Sequence, residues 1–195
     1  NVPLSARTLA QLSRCKGIVV TKVGADNVDV AAATARGIIV ANLPDGWTNE
    51  VADQTMGLIL AVNRQIVRLD HDLRARGWAA VWSSPPVMPA LRFMTLGLVG
   101  FGRIARAVAV RARTFGLTVV AYDPLVESAV FAQYGVEQVD LDALLPRSDI
   151  VSVHVSLNDR TRHLINADAL ARMQRHAILI NTARGPVVDE AALID

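Results

Sequence analysis

A glycine-rich turn in the middle of the chain carries the residues best suited to bind a phosphate group. It lies between an apolar run and a stretch with helical spacing, and reads Leu98-Val99-Gly100-Phe101-Gly102-Arg103-Ile104-Ala105. In a strand–turn–helix of this kind, Gly100 permits the tight turn and Gly102 lets a pyrophosphate approach the backbone. The N–H groups of Arg103 and Ile104 would bind that anion at the positive end of the helix. The pattern predicts a dinucleotide site, with a simple connecting turn as the alternative.

An acid at the end of the next apolar run fits the same site. Asp123 follows the run 118–122 and lies about 20 residues beyond Gly100, the separation expected for an acid that binds ribose hydroxyls. Its carboxylate would repel a 2′-phosphate, and residues 124–126 are Pro, Leu and Val, so no basic side chain is there to receive one. We therefore predict NAD rather than NADP as the cofactor. A turn residue before Pro124 is the alternative role for Asp123.

An arginine after the last apolar run could hold an anionic substrate. Arg184 lies in the segment Asn181-Thr182-Ala183-Arg184-Gly185. A guanidinium stays charged and can donate two parallel N–H bonds to a planar carboxylate, so it suits a 2-oxoacid at the carboxyl edge of a parallel sheet. The alternative is a surface arginine before a Gly-Pro turn.

Short apolar runs separated by helical stretches must position these residues. The runs are 17–21, 38–41, 95–100, 118–122, 149–154 and 177–181. Because they are apolar at successive positions rather than alternating, we expect strands covered on both faces, which is typical of a doubly wound α/β fold with a parallel sheet.

The helical stretches differ in polarity. Spacing predicts a helix from about residue 103 to Phe115, with a buried stripe of Ile104, Val108, Ala112 and Phe115 that ends at Gly116. Residues 49–64 predict a buried helix, and residues 65–76 a charged, solvated one. Residues 77–94 predict an irregular crossing segment, and Asp189 the N-cap of a helix over residues 190–195.

Composition excludes several classes of protein. The 20 basic and 18 acidic residues are scattered, so no basic run indicates a nucleic-acid partner. The only cysteine, Cys15, has no partner for a disulfide, which favours a reducing, cytoplasmic setting. The longest apolar stretch, residues 56–62, is far shorter than the roughly 20 residues needed to cross a bilayer. No metal site is predicted.

Five segments, in order, resemble those of the D-2-hydroxyacid dehydrogenase family. They are residues 23–29, similar to the family's substrate loop, residues 50–55, similar to the start of its interdomain helix, the glycine-rich turn, His154–Thr161 and Asn181–Gly185. The resemblance implies a fragment of a flavodoxin-like substrate domain in residues 1–43. Residues 44–195 would be a Rossmann NAD-binding domain truncated at its C-terminal end, with the boundary at Leu43–Pro44.

The resemblance also implies roles for individual residues. The backbone N–H groups of Val23 and Gly24 would hold the substrate carboxylate, although composition alone makes Gly24 only a strand-ending glycine. Thr55 would approach the cofactor, and Arg184 would be the catalytic arginine that also polarises the substrate carbonyl. Further cofactor contacts are expected from His154, Val155, Thr161, Thr182, Ala183 and Arg184. The family usually has proline where this chain has Ser156, which puts the rigidity of that loop in doubt, and His154 fits a structural strand-end residue better than a proton donor.

The implied reaction is hydride transfer between NAD(H) and a D-2-hydroxyacid/2-oxoacid pair, in a homodimer that forms near the helix of residues 51–62. The family also uses a Glu–His pair and an Asp beyond the arginine, whereas all four histidines of this chain, His71, His154, His163 and His176, precede Arg184. We therefore expect these 195 residues to bind the cofactor without efficient turnover, and the chain to be incomplete at both ends.

A second class of function fits part of the same sequence. Residues 44–48 and 53–55 also resemble the C-terminal binding proteins, transcriptional corepressors built on this scaffold. That resemblance implies a non-catalytic module that senses NAD(H), and the fold alone does not decide between the two.

Overall fold

The chain is divided into two compact units. The computed structural model describes residues 2–194, in which the first unit extends to Thr48 and the second begins at Asn49. The division falls at the start of a long helix, a few residues beyond the boundary placed at Leu43–Pro44. Asn1 and Asp195, which the predicted domains include, lie outside the described residues.

The first unit is built on a two-stranded parallel sheet. Its elements are α1 (Ala6–Ala10), β1 (Gly17–Val20), α2 (Val30–Ala35) and β2 (Ile39–Asn42). The core of this unit lies on the face of Ile18 and Val40. On the other face Val19 and Ile39 are 70% and 73% exposed, so the expectation that both faces are covered is wrong for these two strands.

The second unit is a five-stranded parallel sheet flanked by helices. Its strands are β3 (Thr95–Val99), β4 (Thr118–Tyr122), β5 (Glu137–Gln138), β6 (Ile150–Val153) and β7 (Ile178–Asn181). They pair in the order β5-β4-β3-β6-β7, every pair parallel. This confirms the doubly wound α/β fold, because the chain adds strands on one side of β3 and then returns to add strands on the other.

Helices cover both faces of this sheet. The helices of this unit are α3 (Thr48–Asn63), α4 (Ile66–Trp82), α5 (Arg103–Thr114), α6 (Ser128–Gln133), α7 (Leu141–Arg147), α8 (Ala167–Arg172) and α9 (Glu190–Ile194), of which α4 buries no residue. Leu96 and Leu98 pack into a core cluster on one face, and Val99 and Val151 into a second cluster on the other. Burial on both faces is the reason why the strands are apolar at successive positions.

At Gly97 a helix packs closely against the sheet. A Cβ atom there would lie 2.2 Å from Ser148 Oγ and 2.6 Å from Leu144 Cδ2. Because a side chain has no room, α7 and the residue after it lie directly against the middle of β3.

Two helices differ from the prediction. In α5 the buried stripe is Ala105, Val108, Ala109 and Ala112, and Ile104 is partly buried, whereas Phe115 is 46% exposed because the helix ends before it and Gly116 turns away with φ +82°. The helix α4 continues to Trp82, so the irregular segment begins later than residue 77. The backbone leaves the helical conformation at Gly77, with φ +74° and ψ +168°, so α4 consists of two helical segments joined at a kink.

The predicted N-cap at Asp189 is confirmed. Its Oδ1 atom accepts a hydrogen bond from the Ala192 N–H at 3.4 Å, and α9 follows directly. A carboxylate at this position satisfies one of the N–H groups that the first turn of a helix leaves unpaired.

Candidate functional site

The strand order creates a crevice where β3 and β6 lie side by side. The connections from these two strands leave in opposite directions, and ligands of open α/β sheets bind at such a point, beyond the carboxyl ends of the strands. The segments that follow β3, β4, β6 and β7 therefore share one edge of the sheet. They carry Gly100–Ile104, Asp123, His154–Thr161 and Thr182–Arg184, so the structure brings together the predicted site residues of the second unit, except Thr55, which lies on α3.

The two glycines of the turn have different environments. Gly100 has φ +95°, and a Cβ there would lie 2.9 Å from Val155 Cγ1 and 3.0 Å from the backbone of His154, so this glycine lets the β3 and β6 ends approach each other. Gly102 has an ordinary φ of −74°, and its Cβ position meets no atom within 4 Å. A side chain at 102 would therefore project into open space at the N-terminus of α5.

This cradle fits the pyrophosphate of a dinucleotide. The absent side chain of Gly102 leaves the backbone accessible, and Arg103 and Ile104 form the first turn of α5, the end of a helix at which backbone N–H groups can bind an anion. A bound anion would gain from the helix dipole at the same place.

Asp123 is held against the turn by two backbone groups. Its Oδ2 accepts from the Phe101 N–H at 2.8 Å, and its Oδ1 accepts from the Leu125 N–H at 3.0 Å. Each carboxylate oxygen has further acceptor capacity, so Asp123 can still receive both ribose hydroxyl protons.

Phe101 anchors the turn and was missed by the sequence reasoning. Its side chain is fully buried, stacks on Phe131 with ring centroids 4.5 Å apart, and meets the edge of Tyr134 at 5.9 Å. The variable position between the two glycines thus fixes the N–H that orients Asp123. An aromatic residue inside a glycine turn is the sequence signal that could have indicated it.

His154 is a neutral strand-end residue in this structure. Its backbone N–H donates to the Val99 carbonyl at 2.8 Å, and its side-chain Nε2 lies 2.9 Å from the Ser152 hydroxyl. Burial lowers the pKa of His154 to about 4, from the usual 6.5. The imidazole is therefore unprotonated at neutral pH, which favours a structural role over that of a proton donor.

Thr161 closes the loop that begins at Val155. Its hydroxyl donates to the Ser156 carbonyl at 2.6 Å and accepts from the Asn158 N–H at 2.8 Å. These two bonds restrain the loop although serine replaces the usual proline at 156. They also engage the Thr161 hydroxyl within the loop itself.

The loop that carries Arg184 is shaped by Asn181, a second residue that the sequence reasoning did not single out. The Asn181 side chain accepts from the Ala183 N–H at 3.0 Å and donates to the Arg184 carbonyl at 2.9 Å. Arg184 is half-buried, with extended backbone, and its Nη1 donates to the Ala183 carbonyl at 2.8 Å. Asn181 thus sets the backbone from which the guanidinium projects.

Thr55 lies deeper than the resemblance implies. Its side chain is fully buried, and its hydroxyl donates to the Val51 carbonyl at 2.8 Å and lies 3.0 Å from the Thr182 hydroxyl. Thr55 therefore reaches the edge of the sheet through Thr182.

Val23 and Gly24 belong to the first unit, in the loop after β1. Both are half-buried, and the Asn42 side-chain amide donates to the Val23 carbonyl at 2.6 Å. This bond from the end of β2 fixes the loop that would present the N–H groups of both residues.

Neither a membrane-spanning helix nor a metal-binding cluster is found in the described part of the chain. Among residues 2–194, no helix has the length and apolar character needed to span a bilayer. The same residues contain no cluster of three or more His, Cys, Asp or Glu side chains placed to hold a metal ion.

The strand order, the glycine turn and the acid at the end of β4 together are the features of a Rossmann NAD-binding domain, with NAD as the cofactor. The family model for the D-isomer specific 2-hydroxyacid dehydrogenase, NAD binding domain, matches residues 56–195. The chain belongs to this family.

Similar proteins agree with this assignment. The chain is 43% identical to the D-3-phosphoglycerate dehydrogenase of Mycobacterium bovis over 193 residues, which are 98% of this chain and 36% of that protein. It is 41% identical to the glyoxylate reductase of Korarchaeum cryptofilum, again over 98% of this chain and 58% of that protein. The chain thus spans between about one third and three fifths of the length of these relatives.

Solved structures show the same fold. The D-lactate dehydrogenase of Aquifex aeolicus, complexed with NAD and lactic acid, superposes with a TM-score of 0.90 at 33% identity, over 97% of this chain and 56% of that one. These three relatives are all named as enzymes. They favour the dehydrogenase and lend no support to the corepressor-like sensor.

Proposed function

We propose that this protein transfers a hydride between NAD(H) and a D-2-hydroxyacid/2-oxoacid pair. The observation that carries the proposal is the position of Arg184, on a loop ordered by Asn181 at the carboxyl end of β7, on the sheet edge that holds the dinucleotide cradle. A fixed cation beside a hydride carrier is what reduction of an anionic 2-oxoacid requires, because it binds the carboxylate and stabilises charge on the carbonyl oxygen.

Different residues of the chain bind the cofactor and the substrate in this proposal. NAD(H), when bound, supplies or accepts the hydride. Gly100, Gly102 and the first turn of α5 bind its pyrophosphate, and Asp123 binds a ribose. Val155, Thr161, Thr182 and Ala183 line the same edge. Arg184 forks two N–H bonds onto the substrate carboxylate and so orients the carbonyl. The family resemblance assigns the N–H groups of Val23 and Gly24 to substrate binding as well.

The proton that accompanies the hydride needs a separate donor. His154 is neutral and bonded to Ser152, and no histidine follows Arg184 in the 195 residues. We therefore expect these residues to bind NADH and a 2-oxoacid with little turnover.

Calorimetric titration tests the proposal. NADH should bind to the chain, and oxamate, an unreactive 2-oxoacid analogue, should bind to the NADH-loaded chain in a manner that depends on Arg184. Arg184→Lys keeps the charge but not the two-pronged geometry, and should weaken oxamate by at least about tenfold while NADH changes little. Arg175→Lys, at a solvent-exposed arginine outside the site, is the matched control.

Turnover is the second measurement. Glyoxylate, hydroxypyruvate and pyruvate are offered with NADH, and the loss of NADH absorbance is followed. Intact NADH binding with no oxamate binding would contradict the dehydrogenase and favour the sensor. Efficient reduction by these 195 residues would mean that one of them donates the proton. It would therefore contradict the expectation of little turnover.

We further propose a homodimer in a reducing, cytoplasmic setting. Trp78 and Trp82 stack with centroids 5.6 Å apart and are each about two thirds exposed on α4, which follows the apolar helix α3. A second copy covering them would remove apolar surface from water. Sedimentation of Trp78→Ser/Trp82→Ser tests this: a dimer that persists unchanged would place the interface elsewhere.

The proposal of a reducing, cytoplasmic setting rests on the cysteine of the chain. The thiol of Cys15 donates to the Gly17 carbonyl, which supports a reduced cysteine.

A further inference from the structure

The two hydroxyls of Thr55 and Thr182 form a pair whose proton directions are determined by their surroundings. Thr55 Oγ1 donates to the Val51 carbonyl at 2.8 Å, one turn earlier in α3. The same oxygen lies 3.0 Å from Thr182 Oγ1. Thr55 has no exposed surface, whereas Thr182 is half-buried, so only Thr182 can touch a ligand.

A threonine hydroxyl has one proton and two lone pairs. Because the Val51 carbonyl can only accept, the Thr55 proton is committed to it. The hydrogen bond between the two hydroxyls must then use the Thr182 proton, with Thr55 as the acceptor. The Thr182 oxygen is left with lone pairs alone, and it can offer a ligand an acceptor but no donor.

We propose that Thr55 is a positioning residue that fixes Thr182 as the acceptor for the N–H of the nicotinamide carboxamide. This inference rests on the cofactor-binding part of the proposed function. It replaces the direct contact between Thr55 and the cofactor that the family resemblance implies.

The chemistry of the edge supports this choice of ligand group. Asp123 at the end of β4 receives the adenosine ribose and the turn after β3 receives the pyrophosphate, so the nicotinamide half of the cofactor extends over β6 and β7, where Thr182 lies. An oxygen without a donor repels phosphate and carboxylate groups. It suits an amide N–H, which is the polar group carried by the ring itself.

The test compares two cofactors that differ at that amide. Calorimetry measures the binding of NADH and of its reduced acetylpyridine analogue, in which a methyl group replaces the amide nitrogen, so that no N–H remains. The variants are Thr55→Val, Thr55→Ser and Thr182→Val. Thr34→Val is the matched control, because the Thr34 hydroxyl makes the same bond to a carbonyl four residues earlier, on an exposed helix of the first unit.

Thr55→Val frees the Thr182 proton to rotate toward the ligand and should weaken NADH binding by about two- to tenfold, the worth of one hydrogen bond. Binding of the analogue should stay at the wild-type value. Thr55→Ser retains the hydroxyl and should restore NADH affinity. Thr182→Val should weaken NADH at least as much as Thr55→Val, and the double variant no more than Thr182→Val alone, because both act on one contact.

Each other result overturns the inference. An equal loss of NADH and analogue in Thr55→Val would mean that the residue only supports the fold, and unchanged NADH binding would mean that the pair does not act on the cofactor. If Thr55→Val does not fold, Thr182→Val and Thr55→Ser still decide the comparison. Absence of NADH binding to the wild type would also refute it, whereas NADH binding without oxoacid reduction would refute only the proposed activity.

Discussion

Gly100 and Gly102 lie in one turn, but substitution by alanine should have different effects at the two positions. It should lower the stability of the fold at Gly100 and the affinity for NADH at Gly102. Gly100→Ala places a methyl group at a φ of +95° and within 2.9–3.0 Å of Val155 and His154. The backbone conformation costs about 1–3 kcal/mol and the overlap with backbone about another 1–3 kcal/mol, so the free energy of unfolding should fall by about 2–6 kcal/mol. Gly102→Ala has an ordinary φ and no atom within 4 Å of the new methyl group, so the free energy of unfolding should stay within about 0.5 kcal/mol of the wild type.

The same pair separates folding from binding. In Gly102→Ala the methyl group would occupy the cradle proposed for the pyrophosphate, and NADH affinity should fall by at least about fivefold, since an overlap of this kind costs about 1–3 kcal/mol. Urea denaturation followed by circular dichroism gives the stability, with a midpoint lower by about 1 M or more for Gly100→Ala. Calorimetry gives the NADH affinity of both variants.

Either of two results would refute this reasoning. Wild-type NADH affinity in Gly102→Ala would mean that the pyrophosphate does not lie over that glycine. Wild-type stability in Gly100→Ala would mean that the ends of β3 and β6 are not in the close contact described.

Variants at three further residues test individual side chains. Asp123→Ala should weaken NADH by about tenfold and reduce its expected advantage over NADPH, because we propose that the carboxylate accepts ribose hydroxyls and repels a phosphate; an unchanged preference in calorimetry would refute the assignment. Burial holds the pKa of His154 at about 4 against 6.5, so between these values the unfolded chain binds a proton that the folded chain does not, and stability falls as the pH drops from about 6.5 to about 4 by up to ~3 kcal/mol. His154→Gln should remove that part of the slope in urea midpoints measured across this range, and an unchanged slope would place the titration elsewhere. Asn181→Ala removes both bonds that shape the Arg184 loop and should weaken oxamate more than NADH, whereas Asn181→Asp keeps the acceptor for Ala183 and should retain part of the affinity; equal loss of both ligands would contradict a role specific to Arg184.

The sheet was predictable from the sequence for a physical reason. A strand buried on both faces must be apolar at successive residues, and the runs 95–100, 118–122, 149–154 and 177–181 all became strands, with ends shifted by a residue or so. The polar residues at their ends followed from the same logic, because the carboxyl ends of parallel strands meet at one edge.

Short elements were not predictable in the same way. The strand β5 has two residues, and the helices α6 and α7 have six and seven, too few for a period to emerge against the background of loops. The helical residues after Gly77 in α4 could not be predicted, because a glycine after a charged stretch is a usual sign of a helix end.

A site residue could be predicted from the sequence only where it follows a strand directly and acts from that position. The bond between Thr55 and Thr182 joins residues 127 positions apart, and nothing in either local segment indicates it. The role of Asn181 is local, yet an asparagine at the end of a strand has several uses. Only the geometry shows that it accepts from Ala183 and donates to Arg184.

The close packing at Gly97 sets a condition on how this sequence can vary. A pool of random variants selected for folding alone would keep glycine at 97, since any side chain meets Ser148 and Leu144, but would accept changes at Gly102. A second selection, for retention on an immobilised dinucleotide, would then remove the changes at 102. Sequencing the pool after each step would therefore separate the glycines that the fold needs from the glycine that the ligand needs.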